Sequence, residues 1–126
     1  MNSKARILAV DDNAISLKAI DLALRNEYEV ITVNSGERAI RYLLCERPDL
    51  ILLDIQMAHK DGIETLKEIR TMKNGADIPV IMLTSKNDRE TIIESSRLGI
   101  NDYVLKPFDS DQLLGRIRQT LEKAAK

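Results

Sequence analysis

Pro48-Asp49-Leu50-Ile51-Leu52-Leu53-Asp54 is the stretch on which the fold turns. Its four aliphatic residues run without polar alternation, which suits a strand covered on both faces, as in a parallel sheet flanked by helices. The run stops abruptly at a carboxylate. Reading outward, comparable runs occur at Ile7-Leu8-Ala9-Val10, Val30-Ile31-Thr32-Val33, Val80-Ile81-Met82-Leu83 and Tyr103-Val104-Leu105. The stretches between them are long enough for crossover helices. Residues 14–26 carry Leu17, Ile20 and Leu24 at helical spacing, and 35–46 open on Ser35, a good N-cap, with Ala39, Ile40, Leu43 and Leu44 on one stripe. In 63–72 the stripe is Ile63, Leu66 and Ile69 with charges opposite; in 110–121 it is Leu113, Leu114, Ile117 and Leu121. Gly115 inside that last helix costs about 1 kcal/mol relative to alanine. The segment 87–98 is the least amphipathic, with Ile92 beside Ile93 and Ser95-Ser96 following. A helix that buries little is the easiest to move.

Strict alternation of strand and helix, five times over, predicts an α/β fold. Its form is a doubly wound parallel sheet of five strands with five helices, for which the flavodoxin-like order 2-1-3-4-5 is expected. A chain of 126 residues suits one domain, 1–126, and 44% hydrophobic with 31% charged residues is ordinary for a globular protein. The single cysteine, Cys45, allows no intrachain disulfide and reads as a small buried hydrophobe in a reducing cytosol. Nineteen basic residues nearly balance twenty acidic ones, so no basic field is available to hold nucleic acid and no direct nucleic-acid binding is expected. No stretch has the length of a membrane span, and residues 1–11 lack the apolar region and cleavage site of a signal peptide. A cytoplasmic location, away from membranes, is the expectation.

Ligands of such sheets bind beyond the carboxyl ends of the strands. The residues following the apolar runs are Asp11 and Asp12, then Asp54, then Thr84 and Ser85, then Lys106 and Pro107; Asn34-Ser35-Gly36 after the second run reads as turn chemistry. Three carboxylates, a hydroxyl and an ammonium therefore emerge on one rim. Carboxylates so close repel one another and favour a bound cation or a shared proton. Oxygen ligands on a rigid frame suit Mg²⁺. A carboxylate beside that ion can attack phosphorus to give an aspartyl phosphate, with Lys106 and the Thr84 hydroxyl stabilising the phosphoryl oxygens. Singly, each residue has a plainer reading: Asp12 as the cap of a helix starting near Asn13, Thr84 as a turn or cap residue, Lys106-Pro107 as a surface turn. The lone histidine, His59, reads as an ordinary titrating surface residue. Chance capping does not explain why strands one, three, four and five each end in the group this chemistry requires.

With these residues in view, the sequence resembles the response-regulator receiver domains of two-component signalling. The resemblance covers essentially the whole chain through Val10-Asp11-Asp12-Asn13, Pro48 to Asp54, Asp61-Gly62, Pro79 to Ser85, Gly99-Ile100-Asn101-Asp102-Tyr103 and Leu105-Lys106-Pro107-Phe108. It implies that Asp54 is the phospho-acceptor and that Asp11, Asp12, Asp54 and the backbone carbonyl of Gln56 hold Mg²⁺. Thr84 then resembles the switch hydroxyl, Lys106 the phosphate-binding lysine, and Tyr103 the aromatic that turns inward when Thr84 is drawn toward the phosphate. The Lys106–Pro107 bond is cis in the family. Implied partners are a sensor histidine kinase or histidine phosphotransfer protein as donor and a downstream effector domain or protein as reader. The output surface is expected over residues 87–121, and the only catalysis expected is of the domain's own phosphorylation and dephosphorylation.

The sequence departs from the family pattern in places. Ala58 stands where a proline is usual, which implies a freer loop after Asp54, and Ser85 stands where alanine is usual. Gln56 and Lys86 occupy positions that influence how easily water reaches the phosphoryl group. Asp102 and Arg116 match a charge pair used for dimer contacts in one transcription-factor subgroup, but Asn101, Ile92 and Gln112 lack its other charges. Two competing classes remain. An aspartyl-nucleophile phosphatase or phosphotransferase uses similar groups, but its nucleophile typically follows the first strand with a second Asp two residues on, where this chain reads Asp11-Asp12-Asn13. A flavodoxin would need a phosphate cradle after strand one, where Asp11 and Asp12 would repel the anion.

Overall fold

The computed structural model describes residues 4–58, 60–85 and 89–125. Strands β1 (Arg6–Val10), β2 (Glu29–Val33), β3 (Leu50–Asp54), β4 (Val80–Thr84) and β5 (Asp102–Leu105) alternate with helices α1 (Ala14–Leu24), α2 (Gly36–Cys45), α3 (Gly62–Arg70), α4 (Arg89–Arg97) and α5 (Ser110–Ala124). All strand pairs are parallel, as the alternation predicts, and the order is the expected flavodoxin-like β2-β1-β3-β4-β5.

The three central strands are the continuous aliphatic runs because helices cover both of their faces. Leu8, Val10, Ile51, Leu53, Val80 and Met82 point into a core closed by Ala39 and Leu43 of α2 and by Ile63, Leu66 and Ile69 of α3. Ile7, Ala9, Leu50, Leu52, Ile81 and Leu83 point into the opposite core, against Ile20 and Leu24 of α1 and Leu113 and Ile117 of α5. Edge strand β5 behaves differently: Val104 is buried, whereas Tyr103 and Leu105 face outward. Helix starts are set locally. Asn13, Ser35, Asp61 and Asp109 each accept a first-turn backbone N–H, a contribution of about 1 kcal/mol apiece.

One reading of the sequence, that of Cys45, is corrected, and two further side chains stand where the sequence did not place them. Cys45 is exposed, not buried. One residue turns an α-helix by about 100°, so with Leu43 facing the sheet, Leu44 and Cys45 rotate away from it, and Leu44 is 70% exposed. Asp12 is not the cap of α1, because Asn13 takes that place and accepts from the N–H groups of Ile15 and Ser16. Arg70 does not stand with the solvated charges of α3. It is half-buried, and its guanidinium donates to the carbonyls of Gly75 (2.8 Å), Ile78 (2.8 Å), Leu98 (3.1 Å) and Gly99 (2.7 Å). Burial lowers its pKa, since the charge is less well solvated there. His59, Lys86 and residues 87–88 of the segment 87–98 lie outside the described residues.

Candidate functional site

Parallel pairing aligns the strand ends. Val10 of β1 sits beside Leu53, Asp54 beside Leu83, and Thr84 beside Leu105. Asp11, Asp54, Thr84 and Lys106 therefore leave neighbouring strands at one level. Backbone bonds carry the sheet past the rim: Asp11 N–H donates to the Val33 carbonyl, Ile55 N–H to that of Leu83 (2.9 Å), and Lys106 N–H to that of Thr84 (2.7 Å). The Lys106–Pro107 peptide bond is cis.

Asp11, Asp54 and Thr84 are buried, at 0%, 5% and 2% exposure. Lys106 reaches over them, its Nζ 2.6 Å from Asp11 Oδ2 and 3.5 Å from Asp54 Oδ2. The Asn13 N–H donates to the other oxygen of Asp11, at 3.0 Å. Asp12 is exposed and accepts from the Ala58 N–H at 2.8 Å. The carboxylates of Asp11, Asp12 and Asp54 offer one oxygen each within 4.8 Å of one another. Such a hard, all-oxygen, anionic set fits a small divalent cation. Asp54 feels the crowding: burial first, then the charge of Asp11, pushes its pKa up to about 6, against the opposing pull of Lys106.

The loop after β3 is drawn tightly to the site. Gly62 at the start of α3 donates its N–H to the Ile55 carbonyl (2.8 Å). A Cβ on Gly62 would lie 2.2 Å from the Asp54 carbonyl oxygen and 2.7 Å from Ile55 Cα. Any larger residue would push the Asp54 backbone aside, so the missing side chain fixes where the carboxylate stands. Gln56, whose carbonyl was expected to face the metal, donates its N–H to Asp54 Oδ1 (3.4 Å) and accepts from Ser85 Oγ through its side chain (2.6 Å). Ser85 and Gln56 thus bridge the two loops that flank Asp54. Tyr103 lies on the outer edge, 41% exposed. Asp102 and Arg116 pair with each other within the chain, at 2.9 Å.

The structure brings together Asp11, Asp12, Asp54 and Lys106, with Thr84 on the adjoining strand end. Sequence reasoning missed the Ala58 N–H, the Ser85–Gln56 bridge and the function of Gly62. Gly62 left a signal, as a glycine at a helix start directly after a capping Asp61, and the Ala58 donor left one only in the departure from the usual proline.

Comparison with known proteins agrees with this geometry. Residues 7–118 match the model of the response regulator receiver domain. A probable transcriptional regulator, ycf27, of Guillardia theta is 38% identical over all of this chain and 49% of its own length; the chain spans about half the length of the curated relatives it matches. The chemotaxis protein CheY4 of Vibrio cholerae superposes with a TM-score of 0.90 at 28% identity, over 94% of this chain and 99% of its own. The receiver domain of the sensor histidine kinase PA1611 of Pseudomonas aeruginosa, solved with a magnesium ion coordinated in its active-site cleft, superposes with a TM-score of 0.87 at 31% identity, over 95% of this chain and 99% of its own. The chain belongs to the response regulator receiver domains, the phosphorylation-controlled switches of two-component signalling.

Proposed function

We propose that Asp54 is the residue phosphorylated, that Mg²⁺ is the cation held by Asp11, Asp12, Asp54 and the Gln56 carbonyl, and that residues 1–126 act as one cytoplasmic receiver unit. The donor is a phosphohistidine on a sensor histidine kinase or histidine phosphotransfer protein. An Asp54 carboxylate oxygen attacks phosphorus as the phosphorus–nitrogen bond of the donor breaks, the electron pair leaving with the imidazole nitrogen. The bound ion would neutralise charge on the transferring phosphoryl oxygens. Lys106, already poised between Asp11 and Asp54, moves its charge onto the phosphoryl group. The Thr84 hydroxyl donates to one phosphoryl oxygen. Largely exposed Ile15, with Ala19, Pro107 and Phe108, lines an apolar recess beside Lys106 against which a donor protein would rest. The chain catalyses only its own phosphorylation and dephosphorylation, and its reader is a downstream effector domain or protein.

The observation that supports this reading is a buried carboxylate with an ammonium 3.5 Å away and two further carboxylates in cation-binding range. The phosphatase or phosphotransferase reading has no comparable support; turnover of a small phosphate ester would be its signature. The decisive experiment is mass spectrometry after incubation with acetyl phosphate, with and without Mg²⁺. Wild-type protein should gain one labile acyl phosphate only with the metal, and Asp54→Asn should gain none. Undiminished labelling of the Asn variant would move the acceptor elsewhere.

A further inference from the structure

We propose that the backbone N–H of Ala58 positions the Asp12 carboxylate for cation binding, and so ties the cation site to the loop between β3 and α3. This inference rests on the cation site proposed above. Within the acidic triad, Asp11 is held by the Asn13 N–H and Lys106, and Asp54 by the Gln56 N–H and Lys106. Asp12 is the exposed member. Two neighbouring carboxylates repel it, and an exposed side chain so placed turns to water unless something holds it. The Ala58 N–H, 2.8 Å from Asp12 Oδ2, is that hold, made across 46 positions of sequence.

The tether has its own support. Lys60 N–H donates to the Ala58 carbonyl at 2.8 Å, and Gly62 N–H to that of Ile55 at 2.8 Å, so described residues on both sides of the Ala58 N–H are themselves held by backbone bonds. A hydrogen bond to a carboxylate is stronger than a neutral one. With Oδ2 occupied by this bond, Oδ1 stays free to meet an ion, since a carboxylate accepts at both oxygens. The family pattern carries proline at this position, which has no N–H to give. Ala58 supplies the donor, so the loop that the missing proline implied to be freer is instead tied down.

Mg²⁺ titration of the full chain by calorimetry, together with hydrogen exchange of the Ala58 amide by NMR, tests the tether. Ala58→Pro removes the donor and should weaken Mg²⁺ binding about tenfold, the size typical of losing an outer-sphere partner. Ala58→Gly keeps the N–H and should bind as wild type does. Without metal, Asp12→Ala should speed exchange of the Ala58 amide severalfold relative to wild type, a readout that does not depend on the proline variant folding. Wild-type affinity in Ala58→Pro, or an Ala58 amide indifferent to Asp12→Ala, overturns the tether. Mg²⁺ binding lost in Asp12→Ala but intact in Ala58→Pro would remove the tether alone. Binding untouched by Asp12→Ala would remove the cation site on which it rests.

Discussion

The rim where β1, β3 and β4 end and the flank formed by α4 and β5 are held together by different forces. Beneath the rim every residue of β3 and β4 is buried, and α3 presses Ile63, Leu66 and Ile69 onto them. On the flank, Ser95 is the buried residue among the described side chains of α4, while Ile93, Tyr103 and Leu105 are exposed. Part-buried Leu98 and Ile100 pack against the core at the end of α4, and the rest of its hold is polar: the Arg70 guanidinium on the carbonyls of Leu98 and Gly99, and Asn101, whose N–H and side-chain oxygen both bond the backbone of Val80. Apolar burial has no good substitute in water, whereas a hydrogen bond exchanges for one with solvent at a net difference of only about 1 kcal/mol. Chemistry that depends on sub-ångström placement sits on the first kind of support. The surface proposed to change with the chemistry sits on the second.

The sharpest way to break that contrast is to remove apolar mass from each side. Leu66→Ala should destabilise the protein by about 3 kcal/mol, the usual range for emptying a buried leucine site. Ile93→Ala, at a half-exposed position on α4, should change stability by less than about 0.5 kcal/mol. Urea unfolding of both variants measures it. Equal losses would mean that α4 is as much part of the core as α3, and the two-support picture would fail.

A smaller effect comes from the charge stored at the rim. Burial and Asp11 raise the Asp54 pKa to about 6, above its value near 3.8 in an open chain. The folded protein therefore holds this proton more tightly than the unfolded chain does. Stability from that difference is full below about pH 4 and disappears as pH rises through about 6. The loss should be on the order of 1–3 kcal/mol for metal-free protein, given 1.36 kcal/mol per pKa unit. Asp54→Asn has no proton to lose and should flatten this part of the profile. Chemical denaturation of both proteins from pH 4 to 7 in the presence of a chelator measures the difference. A wild-type profile parallel to that of the Asn variant would mean that Asp54 is ordinarily ionised and the rim less crowded than its geometry implies.

The rim was legible in the sequence and the flank was not, for a physical reason. A parallel strand places its last residue at a defined edge, so Asp11, Asp54, Thr84 and Lys106 could be assigned to one rim from the ends of apolar runs alone. Arg70 offers no such signal: in the sequence it is one more charge on an amphipathic helix, and its carbonyl partners come from segments whose positions only the fold determines. The Ala58 donor belongs to the backbone, which every residue but proline carries, so only the departure from proline marked the place, and it implied looseness where there is a bond. Cys45 misled for a different reason. Burial near the end of α2 depends on a rotation of one residue, finer than a stripe of four apolar side chains can specify.

A small change in stability should accompany the largest change in behaviour, at Thr84. It is the last residue of β4, buried beside Asp54, and its carbonyl accepts from Lys106 N–H. The residues after it lead into α4, and Leu105 lies opposite it on β5. A hydroxyl drawn to a phosphoryl oxygen on Asp54 makes a contact that exists in only one of the two states, and only such contacts move an equilibrium between them. The flank supplies the other half: Tyr103 stands on the outer edge, 41% exposed. Thr84→Ala should lose about 1 kcal/mol of stability or less and still accept a phosphoryl group at Asp54, because the carboxylates and Lys106 are untouched. It should lose much of the response of residues 89–105. Hydrogen exchange on wild type and variant, each with and without the phosphoryl mimic beryllofluoride, reads this directly. Wild type should change across α4 and β5 while α3 stays protected, and the variant should change at the rim alone. A full response in the variant would make Thr84 a strand-end hydroxyl without a switching function, and the path from Asp54 to α4 would then run through the Ser85–Gln56 bridge.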